Sequence, residues 1–159
     1  TKAYTTRVGA GPMPTKMDTK TAEKIIEIGR EVGTTTGRVR SPGWLDLVLI
    51  NFAAKANKLT GLAVTKLDVL SGQKTLKICT KYKEGSKEAQ YTPHDSHNLA
   101  KIKAVYEEFE GWNEDITSIR SFDKLPKNAK SYLRAIEKNT SLPIKFISVG
   151  PKRGQVIYV

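Results

Sequence analysis

The chain reads as an α/β protein with a substantially parallel sheet, and three observations predict it. Helical and strand patterns alternate along the 159 residues. The short apolar run Leu62-Ala63-Val64 suits a strand buried on both faces. Two such strands stop in loops, at Lys66-Leu67-Asp68 and at Ser148-Val149-Gly150-Pro151, and strand ends are where open α/β sheets bind ligands.

The first helix is expected to open at Asp18 or Thr19, whose side chains cap free backbone N–H groups, and to run to about Arg30 with Ile25, Ile26 and Ile28 on or near its apolar side. After Ser41-Pro42-Gly43 a second helix is predicted over residues 44–58, with Leu45, Val48, Leu49, Phe52 and Ala56 at helical spacing and, like Trp44, in the core. A buried strand follows at 62–65. Strands over 75–83 and 88–91, joined by Glu84-Gly85-Ser86-Lys87, suit an antiparallel hairpin. Residues 106–112 read as a further strand, with Glu107, Glu108 and Glu110 solvated. The last helix starts with Pro126 in its first turn and runs to about Asn139, presenting Ala129, Tyr132, Leu133 and Ile136 on one face. A strand over 144–149 and a final β-favouring run, Gln155-Val156-Ile157-Tyr158, close the chain.

Composition narrows the function classes. The net charge is +11, but the 20 lysines behind it are scattered from Lys2 to Lys152 and form no basic block interleaved with aromatics, so a nucleic-acid stripe is disfavoured while anionic ligands in general are favoured. Cys79 is the only cysteine, which excludes an intramolecular disulfide and suits a reducing compartment; it is expected to be a small buried apolar residue. No signal-peptide pattern appears, and no apolar run approaches the ~18 residues of a membrane span. His94-Asp95-Ser96-His97 spaces two histidines as a metal site would, yet no third ligand is placed, and a surface turn is the expectation. No Walker-type phosphate loop and no Ser-His-Asp arrangement occurs. The start at Thr1 and the end within a strand-like run suggest a piece of something larger.

Two stretches carry chemistry. An aspartate offers two acceptor oxygens in one plane, matching the adjacent imino and amino donors of guanine, so Asp68 is a candidate reader of that base; the stem of Lys66 would lie along the purine with its ammonium reaching solvent or backbone. Gly33-Thr34-Thr35-Thr36-Gly37-Arg38-Val39-Arg40 puts three hydroxyls and two guanidiniums in a glycine-containing loop suited to anions, with Arg38 and Arg40 on the same side of an extended segment.

Tyr4-Thr5-Thr6-Arg7-Val8-Gly9-Ala10-Gly11-Pro12, the loop of residues 34–40, Gly43-Trp44-Leu45-Asp46, residues 65–70 and Ser148-Val149-Gly150-Pro151 together resemble, in that order, the C-terminal portion of the adenylosuccinate synthetase family. The resemblance implies the C-terminal part of a mostly parallel-sheet, P-loop-NTPase-like fold with a small antiparallel hairpin insertion. It divides the chain into a substrate-loop region over about 1–60 and a guanine-pocket region over about 61–159. It implies a GTP-dependent ligation of IMP and L-aspartate to adenylosuccinate, with Mg2+ held by ligands outside this chain, in a cytoplasmic homodimer; the chain alone is expected to be inactive. By the same match, Lys66, Leu67, Asp68, Ser148, Val149 and Gly150 would form the guanine pocket. Thr34, Thr35, Thr36, Gly37, Arg38, Val39 and Arg40 would form the loop over the aspartate carboxylate. Within it Arg38 would also touch IMP, and Arg40 would stabilise the GTP phosphates in the transition state. Val8 would line the IMP ribose. Val39, where relatives often carry another basic residue, and Met13 and Lys16, where Phe and Glu are usual, depart from the pattern. A guanine-nucleotide module without catalysis and a basic nucleic-acid-binding domain are the alternatives.

Overall fold

A computed structural model describes residues 1–89 and 96–159 of the chain. Its elements alternate as expected, but the strands are distributed over three small sheets. In the first, β1 (Thr5–Arg7) pairs antiparallel with β2 (Ser41–Gly43). The second centres on the long β5 (Thr75–Glu84), which pairs in parallel with β3 (Leu45–Asp46) and antiparallel with both β6 (Lys87–Ala89) and β7 (Ile102–Glu110). The third places β8 (Ile144–Ser148) between β4 (Leu62–Val64), in parallel, and β9 (Val156–Tyr158), antiparallel. Two of the six strand pairings among the described residues are parallel, which corrects the expectation of a mostly parallel sheet. Besides the expected hairpin, β1 with β2, β7 along almost the whole of β5, and β9 on β8 all add antiparallel pairings.

The first helix, α1 (Thr19–Gly29), begins as predicted, with the Asp18 carboxylate accepting from the Thr21 N–H at 3.0 Å. It ends in a Schellman motif: Arg30 adopts a left-handed conformation (φ 47°), and the Arg30 and Glu31 N–H groups return to Glu27 and Ile26 carbonyls. That turn delivers Glu31 inward. The second helix, α2 (Leu47–Asn57), starts three residues later than expected because residues 45–46 are drawn into β3 and Asp46 becomes its N-cap, accepting from Val48 and Leu49 N–H groups at 3.1 and 3.2 Å. The predicted core stripe is corrected too. Trp44, Leu45 and Val48 are buried, whereas Leu49, Phe52 and Ala56 are exposed, Phe52 by 58%. Leu45 is buried as part of β3, and within α2 only Leu47 and Val48 are buried, so the stripe ends in the first turn.

A short helix, α3 (Ser96–Leu99), precedes β7, and α4 (Lys127–Thr140) packs Ala129, Tyr132, Leu133 and Ile136 into the core with Pro126 before its first turn, as the pattern predicted. The hairpin closes on Gly85 (φ 61°) and Ser86 between Glu84 and Lys87. Its expected continuation over residues 90–91, and His94 and Asp95 of the histidine pair, lie outside the described residues. Glu107, Glu108 and Glu110 are exposed, Glu108 pairing with Lys77 at 2.6 Å. Cys79 is buried with Val48, Tyr82 and Ile102, and that burial pushes its thiol up to about 12. No helix among the described residues is long and apolar enough to cross a membrane.

Candidate functional site

Four segments meet at one cleft of about 690 Å³: the end of α1, the 33–40 loop, the end of β4 and the end of β8. Beyond β4 the chain turns at Lys66, in the left-handed region (φ 59°), into a 3-10 turn, Leu67–Leu70, that carries Asp68. For a residue with a Cβ this conformation costs about 1 kcal/mol or more and persists only where surroundings impose it. Here the Lys66 ammonium donates to the Gly29 carbonyl at 2.6 Å and to Glu31 Oε1 at 2.8 Å. Leu67 and Val69 point into the core on either side of Asp68, so the carboxylate is left on the cleft wall. Asp68 Oδ1 is, among the described residues, the one buried side-chain N or O atom with no hydrogen-bond partner. Burial pushes the Asp68 carboxyl above the usual carboxylate range; Lys66 opposes this and Asp115 adds to it.

Beside it, β8 runs parallel to β4 and ends at Ser148, whose hydroxyl donates to the Gly150 carbonyl at 3.0 Å, tightening the loop. Ser148, Gly150 and Pro151 border the cleft. A side chain at Gly150 would meet the side-chain amide of Gln155, which would have to move aside to admit it. Val149 and Leu67, both predicted as site residues, are fully buried in the core, leaving only their backbone for a ligand. From α1 and the segment after it come Ile28 and Val32, 54% and 40% exposed, an apolar rim that the sequence reading assigned to no site.

The 33–40 loop is closed at its base and open at its tip. The Arg40 N–H donates to the Glu31 carbonyl at 2.9 Å, the Gly33 N–H to Arg38 at 2.8 Å, and Val32 bridges Val39. Of its predicted site residues, Thr34 and Arg40 border the cleft; Thr35, Thr36, Gly37, Arg38 and Val39 are exposed and do not. Arg38 and Arg40 are therefore not brought to the same cleft, because the loop turns between Gly33 and Arg38. Val8 is 54% exposed beyond β1 and is likewise absent from the cleft.

Sequence reading missed Glu31. Its side chain is fully buried and accepts from Lys2 at 2.9 and 2.8 Å, from Lys66 at 2.8 Å, from Arg40 Nη1 at 2.8 Å and from the Tyr4 hydroxyl. Burial alone would raise its carboxyl, but these four donors hold it down to about 2. A glutamate just past a helix end looks like a solvated surface residue. No local signal joins it to Lys2 and Lys66, 29 and 35 positions away.

A family model described as adenylosuccinate synthetase matches residues 1–157. The chain is 51% identical over 158 residues to the adenylosuccinate synthetase of Desulfatibacillum aliphaticivorans, covering 99% of this chain and 37% of that one. It is 47% identical over 156 residues to the enzyme of Myxococcus xanthus, covering 98% and 36%. The solved structure of fully ligated adenylosuccinate synthetase from Plasmodium falciparum superposes with a TM-score of 0.96 at 39% identity, over 99% of this chain and 38% of that one. The chain thus spans a little over a third of the length of the relatives it matches. With a mixed α/β fold and a match running almost from end to end, the chain belongs to the adenylosuccinate synthetase family.

Proposed function

We propose that this chain is the C-terminal portion of a GTP-dependent ligase that joins IMP and L-aspartate into adenylosuccinate, and that it supplies the guanine pocket and part of the anion-binding loop. The observation that carries the reading is the Asp68 carboxylate: it lies on a cleft wall with one buried oxygen unpartnered. An unmatched buried acceptor costs about 1–3 kcal/mol, a cost that a ligand with paired N–H donors removes. Guanine has such a pair and adenine does not. The ring would lie against Ile28 and Val32, with Ser148 and Gly150 at its edge.

The phosphates would extend toward Arg40, whose guanidinium stands at the loop base within the same cleft. Glu31 receives three cations on one carboxylate, so the cluster carries a formal surplus of two positive charges, and two of its cations, Lys66 and Arg40, belong to residues that border the cleft. As GTP phosphorylates the 6-oxygen of IMP and the aspartate amine then displaces phosphate, Arg40 would stabilise charge spreading over the transferring group without itself exchanging a proton. The exposed hydroxyls and amides of residues 34–37, with Arg38, would close over the aspartate carboxylate and reach IMP, and Val8 would line the IMP ribose from the facing segment.

No group of three histidine, cysteine or acidic residues that would hold a metal converges among the described residues. The ligands of a magnesium ion carried on the nucleotide would, in this reading, come from the remaining part of the enzyme, and no step here runs through it. The glycine-rich phosphate loop, the general base and a homodimeric partner belong, in this reading, to the remaining part of a cytoplasmic enzyme.

The test is Asp68→Asn in the full-length protein. The amide replaces one acceptor oxygen by an NH2 donor group where guanine also presents donors, so kcat/KM for GTP should fall roughly ten- to hundred-fold while KM for IMP holds. A wild-type enzyme that uses ATP as well as GTP, or an Asp68→Asn enzyme with unchanged GTP kinetics, would overturn the base-reading role.

A further inference from the structure

Glu31 does not border the cleft, yet two residues that do, Lys66 and Arg40, each end on one of its oxygens, Lys66 on Oε1 and Arg40 on Oε2. We infer that Glu31 is a positioning residue that couples the purine side of the cleft to the anion loop, so that both ligand-facing walls keep one register through a single buried carboxylate. The inference rests on the ligase reading above and deepens it.

Four features carry it. Lys66 sits at the turn that aims Asp68, and its left-handed backbone needs an external hold, which the Gly29 carbonyl and Glu31 Oε1 provide. Arg40 is gripped twice by the same residue, its N–H by the Glu31 carbonyl at 2.9 Å and its guanidinium by Oε2 at 2.8 Å. Glu31 is itself fixed from beneath by Lys2 and Tyr4, which belong to the segment running parallel to the end of β4. A merely stabilising ion pair would need one cation. Here three cations and a hydroxyl surround a side chain with no solvent exposure, an arrangement in which a shift of either wall must move the other or break a buried charged contact.

Glu31→Gln in the full-length enzyme keeps the size but loses the charge and presents an NH2 group to one of the two cations, so only one wall remains held. Misplacement of reacting groups by about 1 Å costs up to ~100-fold. KM for GTP and KM for aspartate should therefore both rise roughly ten-fold or more. A purely structural role would lower thermal stability and the active fraction while leaving both KM values at wild type, and that outcome, or a rise in only one of them, overturns the inference. If Glu31→Gln does not fold, Lys66→Met decides. It removes the ammonium that holds the purine side to Glu31 and Gly29, and a rise in the aspartate KM as well as the GTP KM is expected, whereas an effect confined to GTP overturns the coupling. Wild-type enzyme that makes no adenylosuccinate from GTP, IMP and aspartate overturns the ligase reading and this inference with it; normal wild-type turnover with unmoved KM values in the variants overturns the inference alone.

Discussion

The two sides of the cleft are held on different terms. On one side the strand ends at 66–70 and 148–150 are anchored by core residues, Leu67, Val69 and Val149, and by the buried Glu31 contacts. On the other, residues 34–39 are exposed or half-exposed, and the tip is held by little more than the Gly37 N–H on the Gly33 carbonyl at 2.8 Å and a long bond from the Arg38 N–H to the Thr36 hydroxyl at 3.4 Å. Selecting a base requires donors and acceptors that are already in place before the ligand arrives, which a packed strand end provides. Closing over a small anionic substrate requires a segment of low local stability, which an exposed loop provides. Arg40 stands at the boundary, tied to the rigid side and sequence-adjacent to the loose one.

The largest effect that would break this comparison is removal of the anchor. Glu31→Ala leaves three cations around a buried void, and the full-length protein should lose about 3–5 kcal/mol of stability in urea denaturation; a loss below ~1 kcal/mol would mean that the strand-end side is no better held than the loop.

Acid attacks the same group without mutation. Glu31 has a folded pKa lowered from 4.5 to about 2, so its contribution is complete above the unfolded value and is lost as pH falls through that window. Each pH unit crossed there should remove up to about 1.4 kcal/mol through Glu31, and that share of the slope should be missing in Glu31→Gln. An acid transition of equal steepness in both proteins would assign the pH dependence to other carboxyls.

A smaller effect is expected at the seam. A Cβ on Gly29 would stand 2.6 Å from the Tyr4 hydroxyl oxygen and 3.2 Å from Val69 Cγ1. Gly29→Ala should therefore cost about 1–3 kcal/mol by overpacking beneath the Lys66 contact, read as a lower melting temperature.

The smallest change belongs to the loop. Thr35 is exposed and makes no contact with the cleft, so Thr35→Ala should alter stability by less than about 0.5 kcal/mol. Its aspartate KM should nevertheless rise if the loop closes as proposed. A stability loss comparable to that of Gly29→Ala would show the loop to be part of the scaffold.

Several parts of this architecture were legible in the chain itself. Asp18 and Pro126 mark helix starts by local chemistry, and the Leu62-Ala63-Val64 and 144–149 runs mark strands whose ends meet at one cleft. Asp68, Lys66, Ser148, Gly150, Thr34 and Arg40 are site candidates by motif, and all border that cleft. Illegible were the start of α2, because a two-residue parallel pairing of Leu45 and Asp46 with Ile78 and Cys79 overrides helical spacing, and the exposure of Leu49 and Phe52 that follows from it. Leu67 and Val149 share those motifs by position, yet their side chains serve the core.

Sequence by itself determined the family, the alternation of helices and strands, and which short motifs carry hydrogen-bonding chemistry, because capping, turn formation and side-chain donor patterns are settled within a few residues. Tertiary structure decided that a glutamate after a helix end becomes the common partner of Lys2, Lys66 and Arg40, and that one carboxylate oxygen of Asp68 stays without a partner. Both outcomes depend on charges distant in the chain being desolvated side by side, a long-range balance of burial against pairing that no local pattern encodes.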